Sequence, residues 1–586
     1  MRPSPDMSPA LCVAGLALCV ANVAQGQHAV SRAVYRAVAT TGEPVPGGLP
    51  GEVYEWMRST PVLSGDGSVL FQARTSTDRD VLILDDGEAR LVLATSDTLP
   101  ATGPRITSID IGASIVAADG SVTQRVGMEQ DGVWGRGLIQ IDAAGVITVI
   151  LRDGDPVPGR ADGLVIDGVG TDFAVSDSGD VAAIVGFTDA MDGFGGFGVL
   201  IWRDGVATIA RGSGDPSPGG TPGHEVSFIR GCSMSPDGTA RWLAAALEPG
   251  VSGLEWFTES IAPSDAQPSV DLAISGAAPG PGATAQFDDA TSSPVTSAGM
   301  TAIGVSIDAP DIAPFQQQGV VRQTATGPEL VAGTWQPAPD DVGGVELFRV
   351  EPVSMGTDGT IALEGDFEHP MYGRSRLLMS ASPTNEISVI AAAHQPAPTL
   401  VPGQTFDSFR SNRRLPAPVF TNTLGQSMFF SRLMPSRTDA LWLHDPSAGG
   451  RTLFPLVVED SAVTVHTDSG TEQRTIDFVQ DFYVPGFEAR ACAENGRPSP
   501  FADDGSVVFL ASGDVNGDGQ EFILTARIEA VPCPADVNGD GQLNPNDFNA
   551  WILAFNTQSP ACDQNGDGDC RQNDFNAWIL NFNAGC

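Results

Sequence analysis

Residues Ser64 to Phe71 read SGDGSVLF, a turn that ends on glycine and runs directly into an apolar strand. The pattern occurs eight times: after Gly67 it returns at Gly120 (AADGSV), Gly179 (SDSGDVAAI), Gly238 (SPDGTA), Gly299 (SAGMTAI), Gly359 (GTDGTIAL), Gly425 (TLGQSMFF) and Gly505 (DDGSVVF), at intervals of 53 to 80 residues. In such a turn Asp accepts backbone hydrogen bonds and Gly takes positive φ, so each copy reads as the tight connection between two strands. A second phrase alternates with it: GEPVPG from Gly42, GDPVPG from Gly154 and GDPSPG from Gly214, with looser forms near Gly276, Gly333 and His394. Between these marks lie short segments rich in Val, Ile and Phe, bounded by Gly, Pro and Asp. No amphipathic helix of useful length precedes residue 548.

Units of about 60 residues with roughly four strands each have the period of propeller blades. The sequence therefore predicts a mainly β fold over residues 27–530, a β-propeller of about eight blades, with seven blades plus an irregular unit as the alternative because the last interval is the longest. The final unit supplies SVVFLA and QEFILTA and then runs into a different kind of sequence, without the outer strand the other units have. The segment AVYRAVATTGEPVPG, from Ala33, offers a strand of that kind. The two ends are expected to share one sheet, which closes the ring and hides its edges.

Within the repeats, the candidate functional positions also have turn explanations. SPDG, Ser235 to Gly238, resembles the turn of TolB-like and WD-type propellers and half-matches a sialidase Asp-box, and a tight turn accounts for all four residues. Glu43, Asp155 and Asp215 of the PVPG phrases either line one face or are solvated turn charges. In GDVNGDGQE, Gly513 to Glu521, the residues Asp514, Asn516 and Asp518 have calcium-loop spacing, but Thr525 stands where the last acid would be. That segment is either a hairpin holding a lone calcium or an Asn-Gly hairpin. Cys232 and Cys492 read as buried thiols.

The last 54 residues, Cys533 to Cys586, hold a duplication with a 27-residue spacing. DVNGDGQLNPND, Asp536 to Asp547, is followed by FNAWILAFN, and DQNGDGDCRQND, Asp563 to Asp574, by FNAWILNFN. Calcium takes six to eight oxygens, which a twelve-residue loop supplies from positions 1, 3, 5, 7, 9 and 12. Loop one offers Asp536, Asn538, Asp540, the Gln542 carbonyl, Asn544 directly or through water, and Asp547, with Gly541 at the sharp turn. Loop two offers Asp563, Asn565, Asp567, the Asp569 carbonyl and Asp574, with Gly568 at the turn and water at position nine, where Arg571 cannot ligate. Phe548, Trp551, Ile552 and Phe555, and their counterparts Phe575, Trp578, Ile579 and Phe582, recur at helical spacing, and each stripe needs the other for burial.

Because position twelve is Asp and no helix-length segment precedes either loop, the duplication resembles the type I dockerin. The resemblance covers about a tenth of the chain. It implies an α-helical domain over residues 531–586 that folds on two calcium ions and attaches a secreted protein to a cohesin-like or other surface or scaffold protein. Positions ten and eleven, which resemble the family's partner-reading pair, are Pro545 and Asn546, then Gln572 and Asn573, in place of its frequent small hydroxylated residues.

Arg2, the apolar run Ala10 to Val23 and the small residues Ala24 and Gly26 read as a signal peptide over residues 1–26. Fourteen apolar residues are too few to span a bilayer. The mature protein is therefore expected outside the cytoplasm, extracellular, surface-associated or periplasmic. Six cysteines remain after cleavage, and Cys533, Cys562, Cys570 and Cys586 crowd the last domain as disulfide candidates in one of three pairings, with Cys533 to Cys586 preferred because it clasps the ends. The formal charge is −41 and all 31 basic residues are arginine, which disfavours nucleic acid as a partner. The six histidines show no paired ligand spacing, and no nucleophile elbow, phosphate loop or dinucleotide fingerprint occurs.

Three functions fit these observations: a displayed propeller that binds a protein or glycan, a polysaccharide hydrolase or lyase, and a structural surface component. Catalytic residues are not readable, because a carboxylate pair would lie far apart in sequence.

Overall fold

Seven of the glycine turns close on the same bond. Gly67, Gly120, Gly179, Gly238, Gly359, Gly425 and Gly505 each donate their N–H to the carbonyl three residues earlier, at 2.9 to 3.1 Å. Their φ values lie between 71° and 87°, a region closed to most side chains, which is why the repeat keeps glycine there. Gly299, the eighth, lies outside the described residues. The computed structural model describes residues 27–584 apart from short segments, of which 275–285, 309–316 and 480–498 are the longest.

Around these turns the chain builds antiparallel meanders. In the first sheet Tyr54–Met57 and Val62–Leu63 pair with Val69–Thr75, which pairs with Asp80–Asp85 and then Ala89–Ala94. Six further sheets of the same order arise from residues 105–152, 164–212, 225–274, 286–333, 347–392 and 405–458. Consecutive apolar residues, such as Val81 to Leu84, bury both faces of the middle strands, and the hydrophobic core runs between neighbouring sheets. Ile115 and Leu138 of the second sheet, for example, pack with Ile166, Phe173 and Val181 of the third.

The PVPG phrases connect each outer strand to the next inner strand. Pro44, Pro156 and Pro216 bridge to Val53, Val165 and Glu225, nine residues on, and Pro337 and Pro396 repeat this with Glu346 and Thr405. Proline presets the turn and glycine completes it.

Closure of the ring takes the form of seven regular blades and one irregular unit. Ser31–Thr40 shares a sheet with Val507–Val515 and Asp518–Ala530, as the sequence predicted. The extra hairpin Ser461–Thr467 and Gly470–Val479 joins this sheet, and Tyr35 and Arg36 pair in parallel with Val465 and His466, so five strands close into a small barrel. The long last interval is used for that hairpin and for the residues after Val479. Ala39, Phe71, Val81, Val508, Leu510 and Ile523 then form one core shared by the first and last sheets.

The chain divides into two compact units, one of residues 35–444 and 455–527 and a smaller one that contains the C-terminal helices. In the smaller unit Pro545–Thr557 and Gln572–Ala584 are helical. The first begins at a capping box of Asn544 and Asp547, with Pro545 preorganised in the first turn, and ends at Gln558 in the left-handed conformation. Trp551 and Trp578 are buried against each other, with Phe548, Phe555, Phe575 and Phe582 around them. Cys562 and Cys570 form a disulfide, with Cα atoms 5.6 Å apart. Of the expected clasp, Cys533 and Cys586 lie outside the described residues, as do Cys492 and the signal segment 1–26. Among the described residues no helix is long and apolar enough to cross a membrane.

Candidate functional site

In the C-terminal unit, both twelfth-position carboxylates are fully buried and braced alike. Asp547 accepts from the backbone N–H of Asn544 at 2.8 Å and of Asn538 at 3.4 Å, and Asp574 from Arg571 at 2.6 Å and Gln564 at 3.1 Å. In each loop, therefore, the last acid holds the ninth residue and the start of the loop together. Burial pushes the Asp547 carboxyl above the ordinary carboxylate range, and the adjacent Asp536 carboxylate adds to the rise against the two backbone bonds. Positions one and twelve of loop one thus converge. Asn544 uses its side chain to cap the helix, accepting from Asn546 N–H at 2.8 Å.

Asp540, Asn565 and Asp567 lie outside the described residues. Among the described residues no three His, Cys, Asp or Glu side chains are gathered as a metal site. Each loop is also tied to the other repeat: Trp551 Nε1 donates to the Cys562 carbonyl at 3.2 Å, and Trp578 Nε1 to the Ala535 carbonyl at 3.1 Å.

The propeller candidates divide clearly. Glu43, Asp155 and Asp215 cap their own turns, accepting from Thr40, Arg152 and Gly212 N–H at 2.9, 2.9 and 2.7 Å. In SPDG, Asp237 likewise accepts from Thr239 N–H at 2.9 Å. Val515 stands opposite Asp518, and residues 516–517 lie outside the described residues. Cys232 is buried, with Sγ 3.2 Å from the Asp172 carbonyl.

Three arrangements escaped the sequence reading. The first is a buried ion network in the sixth blade, where Glu351 stands directly opposite Glu364 and Arg349 opposite Asp366. Arg349 grips Glu351 through two bonds at 2.7 and 2.9 Å, and Arg376 and Arg374 meet Glu364 and Asp366 at 2.6 and 2.7 Å. Burial pushes the Glu364 carboxyl up, and Arg376 and Arg349 oppose the rise. The second is a cavity of about 640 Å³ along the third and fourth blades, lined in part by Arg160, Arg203 and Arg211. Each of these guanidiniums is matched to a carboxylate, Asp215, Asp180 and Glu259 respectively, so the cavity offers no spare positive charge.

The third is a set of exposed rings. Trp56, Trp134, Phe197, Phe228, Phe348 and Tyr372 are all solvent-exposed. Each lies near the start of an inner strand or at the hairpin between second and third strands. In an antiparallel meander those positions share one end of the sheet, the end that carries the PVPG connections. At Tyr372 the rings are densest: His394 stacks on it at 3.9 Å, and His369 lies 4.7 Å from Tyr372 and 5.4 Å from His394.

Among solved structures, the chain is similar to the propeller domain of the trilobed protease from Pyrococcus furiosus, with 9% identity and a TM-score of 0.34 over 69% of this chain and 97% of that one. It is also similar to an oligogalacturonate lyase in complex with manganese, with 10% identity and a TM-score of 0.34 over 86% and 98%, and to the polysaccharide lyase Uly1, with 9% identity and a TM-score of 0.32 over 73% and 90%. No curated protein sequence matches the chain. One family matches most of its length, at residues 18–230 and 85–537, and the chain belongs to that family, described as Family of unknown function (DUF7453).

Proposed function

We propose that this chain is an exported propeller that binds a ligand, attached to a surface or scaffold protein through a calcium-holding, dockerin-like module. The observation that carries the module reading is the repeat-related pair of buried carboxylates, Asp547 and Asp574, each bonded to the ninth residue of its loop. An all-oxygen donor set with two like charges converging at Asp536 and Asp547 suits a hard divalent cation. Asp536, Asn538, Asp540, the Gln542 carbonyl, Asn544 and Asp547 would hold one ion, and Asp563, Asn565, Asp567, the Asp569 carbonyl and Asp574 the other. Bound calcium would supply the positive charge that lets the buried Asp547 and Asp574 remain ionised. The Cys562–Cys570 disulfide accords with an oxidising compartment.

For the propeller, the exposed rings on one end support binding. Glu351 and Glu364 are the pair on which a hydrolytic reading would rest, but their burial and arginine partners support an ion network instead. Calorimetric titration of the full chain with calcium tests the module: two equivalents bound, falling to one in Asp547→Asn, are expected. Absence of calcium binding would overturn the assignment.

A further inference from the structure

We infer that the end of the propeller carrying the PVPG connections is a binding platform for a neutral polysaccharide, with Tyr372, His394 and His369 as its best-formed subsite. The inference rests on reading the propeller as the ligand-binding part of the chain.

The subsite is built on a turn of the repeat, the one that Ser96 also makes, with φ 82° and its N–H 2.9 Å from the Ile106 carbonyl. His394 occupies the turn position taken by Gly42, Gly154 and Gly214 in other blades, and its φ of 71° matches theirs of 84° to 90°. The turn is the same one, since His394 N–H meets the Phe406 carbonyl at 2.6 Å as Gly154 N–H meets Ile166 at 2.7 Å. A side chain rarely adopts this conformation, and such strain gathers where a side chain is used. Here the imidazole is spent on stacking against Tyr372, which fixes a ring that is 58% exposed. His369 Nδ1 accepts from Met371 N–H at 3.2 Å, so its Nε2 carries the proton and is a donor for a ligand hydroxyl. Burial and the neighbouring His369 lower the His394 pKa, with Asp407 opposing. Exposed Phe348 stands on the inner strand of the same blade and end.

The chemistry of the occupant follows from spacing and charge. Polar groups flank the rings: Arg136 lies 5.8 Å from the Trp134 ring and Arg230 5.9 Å from Phe228, which itself meets Trp256 edge-on at 6.1 Å. A protein partner would favour a contiguous apolar centre. A sugar chain presents alternating C–H faces and hydroxyls, and meets separated rings with polar groups between them. With a formal charge of −41 the chain repels polyanions, so a neutral chain is selected over an acidic one.

The test is affinity electrophoresis of the full calcium-loaded chain through gels containing β-1,3-glucan, β-1,4-glucan, xylan or mannan, with alginate and polygalacturonate as polyanions. Retardation by at least one neutral polymer is expected, weakened about tenfold by Tyr372→Ala and retained by Tyr372→Phe. His394→Gly also weakens retardation without lowering the melting temperature, because glycine is the residue three other connections, at Gly42, Gly154 and Gly214, use in that turn. Retardation by none of the neutral polymers, by polyanions alone, or equally by Tyr372→Ala overturns the inference. Calcium titration of the same preparation reports on the module separately.

Discussion

Trp578 donates its indole N–H to the carbonyl of Ala535, 43 residues earlier, at 3.1 Å, and Ala535 immediately precedes Asp536, which opens the first twelve-residue loop. Trp551 makes the repeat-related bond to Cys562, which immediately precedes the second loop. Each helix therefore locks the entrance of the other repeat's loop, and neither half is complete alone.

Replacing either indole by a phenyl ring tests this brace. Trp578→Phe keeps most of the buried ring and leaves a buried carbonyl without its donor, a loss of about 1–3 kcal/mol. Trp551→Phe is expected to cost a similar amount. Denaturant unfolding of the calcium-loaded chain, followed by helical circular dichroism, measures both; a large effect from one and none from the other contradicts a reciprocal brace.

Calcium removal should separate the two units. With excess chelator, the helical signal of Pro545–Thr557 and Gln572–Ala584 is expected to collapse while the β spectrum of the propeller persists. Hydrogen exchange resolved by peptide locates the change, and a protected tail in chelator argues against calcium-dependent folding.

Ring closure depends on the N-terminal strand. Thr41 N–H donates to the Glu521 carbonyl at 2.9 Å, and the Glu521 carboxylate accepts from Met57 N–H at 2.8 Å, so one residue ties the closing sheet to the first blade. Deleting Ala29 to Thr41 exposes an edge and splits the shared core, and should lower the melting temperature of the whole propeller. Unchanged melting would mean that the strand is dispensable.

The first blade should weaken in acid. Glu52 is buried, which by itself raises its pKa, but bonds from Arg79 at 2.7 and 3.1 Å, Thr75 at 2.6 Å, Thr77 and Leu49 N–H prevail and bring it down to about 2. A carboxylate whose folded pKa is depressed stabilises the fold fully above its unfolded pKa, 4.5, and loses that contribution as pH falls toward about 2. Glu52→Gln leaves Arg79 unpaired and is expected to cost about 3–5 kcal/mol at neutral pH. Its stability should then vary less than the wild type's between those two pH values, as read from urea midpoints.

Peptide mapping of the mature chain under non-reducing conditions should recover Cys562 joined to Cys570. With that bond made, the expected partner of Cys533 is Cys586, the pairing that clasps the module, and the same map tests it. A peptide joining Cys533 to Cys562 would contradict both.

The sequence alone determined what is local and periodic. The DG turns, the PVPG connections and the two duplicated helices are short patterns in which backbone sterics and hydrogen bonding leave few conformations, so their conformations were legible residue by residue. The strand at Ser31–Thr40 was also readable, because the last repeat visibly lacked one. Tertiary structure decided the rest. The parallel pairing of Tyr35 with Val465, the meeting of Glu351 with Glu364 and the stacking of His394 on Tyr372 depend on register between strands. A one-residue slip turns every side chain to the opposite face. That register is set by packing across the whole ring, so no short window of the chain contains it.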